Sequence, residues 1–281
     1  MKSKVLYFLI IPALLMFALV SCEEKVEEKK MTLVVASQNV KFKMTGVGYL
    51  TIDWGDGTKE QFTLSKNKTE YYHEYQSGER HTIVLNGWIS TLSAGRFPID
   101  DNTTFNQIIS FDAGNNSSLK YLDCSENIIT DLNISKCTEL TELYCWNNQL
   151  TNLDVNNSKK LIILKCFDNQ LLSLDVAKNI ELTEMSCSKN KIRDLDISRN
   201  INLMELYCND NLLTNLDASS NDTIKRLFCH DNQLSAYAIN NLFYSLHSKL
   251  IPEGKTVSIY GNPGANYCNK GIAKEKGWSV Y

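Results

Sequence analysis

Six cysteines recur at one interval. Cys124, Cys145, Cys166, Cys187, Cys208 and Cys229 stand 21 residues apart, and five further columns keep the same phase. Asparagine follows three residues later, at Asn127, Asn148, Asn169, Asn190, Asn211 and Asn232. Leu or Met precedes by two, from Leu122 through Met185 to Leu227, and Leu or Ile by five, from Leu119 to Ile224. Apolar residues follow by five, from Ile129 to Leu234, and by ten, from Ile134 to Ile239. No bias of composition puts six columns in register; a fixed period of this length marks stacked units of one kind. A 21-residue coil has too few apolar side chains to offset the ordering of its own backbone. Each unit must therefore be covered by its neighbours, and both ends of the array need caps.

The unit reads L-x-x-L-x-C-x-x-N-x-L over residues 89–240. It resembles the leucine-rich repeat, with Cys in a strand position usually held by Leu. The resemblance implies a short parallel strand on one side of each coil and a shorter extended segment on the other, where Leu150 to Val155 echoes the first half. Asn106, Ile108, Phe111 and Ala113 fit the frame weakly. Ile89-x-x-Leu92-x-Ala94 also fits, but nine extra residues follow before the next match, so an irregular first turn with an insertion is expected. After Leu234 the frame fades. Ile239, Leu242, Phe243, Leu246 and Leu250 recur at helical spacing. A strand from Val257 to Tyr260, a turn at Gly261-Asn262-Pro263-Gly264, a short helix near 266–275 and a last strand from Trp278 to Tyr281 complete an end cap. This end segment resembles those of surface leucine-rich lipoproteins. The fold class expected is mostly β: a leucine-rich-repeat solenoid of 21-residue repeats with a parallel sheet (89–236), a small N-terminal β-sandwich-like module (31–88) and a C-terminal α/β cap (237–281).

In-register parallel strands would place the six cysteines in an inward column at steps of ~4.8 Å. Such side chains poorly match the ~90° dihedral of a disulfide, and a straight column cannot converge on zinc. Buried free thiols acting as small core residues are expected. Cys137 and Cys268 lie off the column and have no assignment. The six asparagines read as an internal ladder that satisfies backbone groups at the bend after each strand.

The chain starts with Lys2 and Lys4, then an apolar run from Val5 to Val20, which is short for a membrane span of ~20 residues. Leu19-Val20-Ser21-Cys22 resembles the bacterial lipobox. That resemblance implies a signal peptide over 1–21 and a lipidated Cys22, hence attachment to a membrane. Residues 22–30, from Glu23 to Lys30, read as a charged, solvated tether. Acidic residues directly after the lipid Cys also resemble a surface-export signal. Outer-membrane attachment with cell-surface exposure is expected, with a periplasm-facing orientation as the alternative.

Residues 31–88 are rich in Val, Ile, Thr and Tyr. Tyr49 to Trp54 runs into Gly55-Asp56-Gly57-Thr58, a strong hairpin signal. Trp54-Gly55-Asp56-Gly57-Thr58, then His73-x-Tyr75-x-x-Gly78 and the strand His81 to Leu85, resembles the PKD-type immunoglobulin-like sandwich. The resemblance implies an extracellular spacer or adhesive module. Asp56 reads as a turn residue, and His73 and His81 as locally packed or bonded.

Function is sought on the outward side of the strands. Side chains alternate there, so residues flanking the Leu-x-Cys pair face out. Tyr121, Tyr144, Trp146, Phe167, Tyr207, Phe228 and His230 form the candidate ligand-binding set. Tyr144, Trp146 and Phe167 are expected to cluster, as are Tyr207, Phe228 and His230, with a low step at Ser186 and Ser188 between them. Large aromatics on a face free of the core suggest recognition of a protein or a glycan. On the opposite side Asn133, Asp154, Asp175, Asp196 and Asp217 repeat and read as turn residues. Their weaker reading is a calcium site. Net charge is −3, without a basic cluster, which disfavours nucleic acid. No G-x-S-x-G, H-E-x-x-H or phosphate-binding glycine loop occurs, so catalysis is not expected; neither is a metal or cofactor. A non-binding scaffold in a surface complex is the runner-up, and an extracellular enzyme acting on a polymer ranks below it.

Overall fold

A computed structural model describes residues 29–95 and 106–281. The leader, Cys22 and the tether up to residue 28 lie outside the described residues. Five strands open the fold: β1 (Lys30–Val35), β2 (Asn39–Asp53), β3 (Lys59–Thr63), β4 (Thr69–Glu74) and β5 (His81–Ser93). β2 alternates buried and half-buried residues, as a period-two pattern requires, so Val40, Phe42, Met44, Leu50 and Ile52 fill one face. One edge of β2 carries β4 and then β3; the other carries β5, all antiparallel. The Asp-Gly turn closes through Asp53 and Asp56, whose Oδ1 atoms accept the Gly55 and Thr58 N–H groups at 3.1 and 2.9 Å. Burial works against the Asp56 charge, but the bonds from His73 (2.7 Å) and Thr58 outweigh it and hold the carboxyl down to about 2. His73 stacks on Trp54 at 4.7 Å, and His81 on Tyr75 at 3.8 Å.

β5 belongs to two structures at once. Residues 81–86 pair antiparallel with β1. Residues 91–93 pair in parallel with the first repeat strand. On the far side of β1 comes β6 (Ile108–Asp112), antiparallel. The repeat strand alongside β5 is β7 (Tyr121–Asp123), and β6 lies parallel to β8 (Asp131–Asn133). The N-terminal strands therefore extend both walls of the first coil, through Ile89 to Ala94 on one wall and Ile108 to Ala113 on the other. The boundary placed at residue 88 falls inside β5, because one hydrogen-bonded strand serves both regions. The tether also ends earlier than residue 30. Lys30 opens β1, and Lys29 is buried, its Nζ 3.0 Å from Ser117 Oγ and 5.0 Å over the Trp88 ring.

The repeat strands follow as β9 (Glu142–Tyr144), β10 (Ile163–Lys165), β11 (Glu184–Ser186), β12 (Glu205–Tyr207) and β13 (Arg226–Phe228). They form one parallel sheet in exact 21-residue register. The opposite wall is held by single bonds, such as Gln170 N to Leu150 O at 2.8 Å and Lys191 N to Leu171 O at 2.9 Å. All six column cysteines are free and fully buried. Burial pushes the Cys187 and Cys229 thiols up to about 12. Cys137 is buried too, with Sγ 3.3 Å from Ala113 O, whereas Cys268 is half-buried.

The asparagine ladder is complete. Asn169 Nδ2 donates to Cys145 O at 2.9 Å and Cys166 O at 3.2 Å, while its Oδ1 accepts Leu150 N at 3.0 Å. The other five repeat this scheme, and Asn106 and Asn262 bond in related ways at the two ends. The residue before each repeat asparagine, from Glu126 to Asp231, has φ between 50 and 57°. That left-handed residue swings the amide back under the strand.

After β13 comes α1 (Ala236–Ser245), which Ser235 caps by accepting the Ala238 N–H at 3.2 Å. Its buried side, Ala238, Ile239, Leu242 and Phe243, closes the core. The frame then resumes rather than ending. β14 (Lys255–Ser258) pairs with β13, and β15 (Trp278–Val280) pairs with β14 after α2 (Gly271–Glu275), all parallel. Val257 aligns with Leu227, so Ile259 stands where a cysteine would. The helix adds nine residues to that coil, which hides the period. Among the described residues no helix is long and apolar enough to cross a membrane.

Candidate functional site

The outward face of the sheet is built by alternation. On β9 and the two residues after it, Leu143 and Cys145 are buried, and Glu142, Tyr144 and Trp146 between and beside them face out. All seven candidate residues, Tyr121, Tyr144, Trp146, Phe167, Tyr207, Phe228 and His230, lie on this face and are half-buried. They are half-buried because each ring covers the next. Trp146 stacks on Phe167 at 5.1 Å with planes 6° apart, the rung spacing of the sheet itself. Tyr207 stacks on Phe228 at 5.1 Å, and Phe228 meets His230 edge-on at 6.2 Å. Tyr144 does not join the Trp146 stack as grouped from sequence; its ring partner is Tyr121, at 5.4 Å. Its register neighbour on β10 is Lys165, whose ammonium lies 5.9 Å over the Tyr144 ring. Between the two aromatic groups Ser186 and Ser188 are buried, 3.4 Å apart, beneath their larger neighbours.

Carboxylates frame the rings. Tyr144 and Tyr207 donate to Glu142 Oε2 and Glu205 Oε2, both at 2.9 Å. Burial first, and then these acceptors, raises both phenol pKa values, so the hydroxyls stay protonated donors. Lys165 pairs with Glu184 at 2.8 Å and Arg226 with Glu205 at 2.7 Å. The left-handed row that follows the strands holds Glu126, Asp168, Asp210 and Asp231.

Tyr260 joins this aromatic face, and the repeat pattern did not reveal it. It is 52% exposed and stacks on His230 at 4.2 Å. Its only signal is the Ile259 alignment, which is displaced by the helix. Beside it, one ligand atom each from Asp210, His230 and Asp231 lies within 4.8 Å of the others. Burial lowers the His230 pKa, leaving the imidazole neutral at pH 7. Gly261 makes room for Asp231: its φ is +70°, and a Cβ there would lie 1.9 Å from Asp231 Oδ1. On the opposite wall Asp154, Asp175, Asp196 and Asp217 each accept the N–H two residues on, at 2.8–3.0 Å. Those carboxylates are turn residues.

No family model and no curated protein matches the sequence. Solved structures do. The leucine-rich-repeat protein LIC12759 of Leptospira interrogans aligns at 25% identity and a TM-score of 0.50, over 59% of this chain and 43% of that one. The functional domain of InlJ from Listeria monocytogenes, described as including a cysteine ladder, aligns at 24% identity and a TM-score of 0.44, over 60% of this chain and 42% of that one. The leucine-rich-repeat domain of APL1B aligns at 20% identity and a TM-score of 0.49, over 62% of this chain and 51% of that one. This chain thus spans less than half the length of the first two. Its repeat body has the leucine-rich-repeat fold, a mostly β solenoid of stacked parallel strands.

Proposed function

We propose that this chain is a recognition or adhesion protein that binds a protein or glycan through the outward face of its repeat sheet. The observation that carries the reading is the stacked aromatic array on that face, centred on Trp146 and Phe167 and repeated at Tyr207, Phe228 and His230. Strand alternation anchors the opposite side of every rung in a closely packed core, so the array costs little ordering entropy on binding. The fold supports the reading because repeat sheets of this kind are interaction scaffolds. The lipobox-like segment supports anchoring through Cys22 in the outer membrane, with the sheet exposed to the outside. A glycan array and a pull-down with the full chain test for the ligand. Trp146→Ala with Phe167→Ala is expected to weaken whatever is captured at least tenfold with circular dichroism unchanged; undiminished capture overturns the placement. Palmitate incorporation lost in Cys22→Ser, and protease access to the repeats on intact cells, test anchor and orientation separately.

A further inference from the structure

Charge is unevenly spread over this molecule, and the uneven part coincides with the aromatic sheet. The outward strand positions from Asp123 to Arg226, with the left-handed row behind them, hold eight carboxylates against Lys165, Lys189 and Arg226. That strip sums to −5; with Lys2 and Lys4 of the expected leader set aside the chain as a whole also carries −5, so everything else is neutral. The face already shows what it can do with a cation. The Lys165 ammonium lies 5.9 Å over the Tyr144 ring while pairing with Glu184 at 2.8 Å. Ring and carboxylate together hold one positive group, each adding to the other's attraction. Carboxylates also accompany two ring groups that hold no internal cation: Asp168 follows Phe167 directly in the chain, and Asp210 and Asp231 cluster with His230, on which Tyr260 stacks. Asp168 and Asp210 form no ion pair among the described residues. The second niche is poorly suited to a metal. His230 Nδ1 is buried with no hydrogen-bond partner among the described residues, so no hydrogen bond holds the ring as it does in metal-binding imidazoles.

We infer that the occupant of the repeat sheet is a basic segment of another protein, whose Lys or Arg side chains enter these two ring-and-carboxylate niches. The inference rests on the binding reading above and narrows it to one ligand chemistry. The carboxylates Asp168 and Asp210 or Asp231 stand two to three rungs apart, ~10–14 Å, which an extended chain spans in three or four residues at ~3.3 Å each. Two basic residues at that separation are the expected recognition element. Strongly acidic ligands are excluded by the like charge of the strip.

Random peptides of about 12 residues, displayed on phage and selected on the purified full chain, test this. The expected pool is enriched in Lys and Arg spaced by three or four and depleted in Asp and Glu. Its best synthetic member should bind about tenfold more weakly to Asp168→Asn with Asp210→Asn. Asparagine tolerates the left-handed backbone at both positions, so the fold is kept. Binding to the opposite-wall control, Asp154→Asn with Asp175→Asn, should not change. A selected pool without basic enrichment, or equal loss in both double variants, overturns the inference. If neutral peptides or a glycan are captured and lost in Trp146→Ala, the binding reading stands and this one falls. If nothing is captured in either screen, both fall.

Discussion

Two columns of buried polar side chains run through the solenoid at the same 21-residue pitch, and they do unequal work. The first is the ladder after the strands, asparagine in every repeat from Asn127 to Asn232. Each of its amides uses both ends: the NH2 group donates to carbonyls of its own and the preceding coil, and the oxygen accepts an N–H from the preceding coil. The second lies on the next bend: Asn116, Cys137, Ser158, Asn179, Asn200 and Asn221, all at most 1% exposed. There Asn200 Nδ2 donates to Val176 O at 3.0 Å and Asn179 O at 2.9 Å, but the Oδ1 atoms of Asn179, Asn200 and Asn221 have no partner among the described residues. After Asn116, whose oxygen accepts from Ser118, this column needs only donors and so accepts a serine, whose Oγ reaches Cys137 O at 3.2 Å, or a thiol. A column that needs donor and acceptor in one planar group accepts only asparagine. The variation of residue type along each column follows from the number of bonds required.

The sharpest way to break this comparison is to put the same substitution into each environment. Cys166→Asn places an amide against aliphatic walls in the thiol column, with overpacking and unpaired polar atoms. It should cost ~3–5 kcal/mol by urea unfolding. Cys137→Asn puts the amide where its NH2 group can reach Ala113 O, as Cys137 Sγ does at 3.3 Å, and should change stability by no more than ~1 kcal/mol. Equal losses would mean that the two columns do not differ as described. The thiols themselves give a second readout. Burial raises the pKa of Cys268 as well as those of the column cysteines and Cys137, but Cys268 alone among them is half-exposed, so it should alkylate at pH 7.5 while the others resist; mass spectrometry of a timed reaction reads this directly.

Truncation sharpens the comparison further. Asn169→Ala orphans the buried Leu150 N–H and removes two donors at once, at ~2–4 kcal/mol. Asn200→Ser keeps a donor of the kind Ser158 already supplies and should cost ~1 kcal/mol. If the second substitution proves as damaging as the first, the unpaired oxygens in that column have a partner that the geometry does not show.

The first column was legible because nothing interrupts it; six asparagines in phase with six cysteines leave little alternative. The second was present in the sequence at the same spacing, but Cys137 and Ser158 break it, and a reading by residue type passes over a column defined by donors. Position on the sheet was legible for all seven candidate residues, since alternation decides it. Their pairing was not. Whether Tyr144 turns to Tyr121 or toward Trp146 depends on rotamers and on Lys165 lying over its ring, which no spacing reveals. Tyr260 was hidden by α1, which lengthens one coil and pushes the cap out of phase. Lys29 and Lys30 read as tether because charge suggests solvent, yet β1 is paired on both sides and its alternating burial reaches back to Lys29, whose ammonium finds an outlet at Ser117 and the Trp88 ring while Lys30 stays exposed.

The smallest test concerns the bend that delivers the first ladder. Every repeat places a non-glycine residue at φ near 50° before its asparagine, and Lys189 does so at 50°. Asp and Asn bear this conformation better than lysine does, because a short polar side chain can bond locally. Lysine has no such compensation, so its Cβ strain is carried by the two amide bonds that hold Asn190 in place, to Cys187 O at 3.0 Å and Cys166 O at 3.1 Å. Lys189→Gly removes the strain but enlarges the unfolded ensemble. The first effect is ~1–2 kcal/mol and the second about half that, so a gain of ~0.5–1 kcal/mol is expected. The equivalent change at Asp168, already suited to the bend, should gain less. A loss at Lys189 would mean that the Cβ of lysine is not strained in the bend, and that the entropy of the unfolded chain decides the outcome.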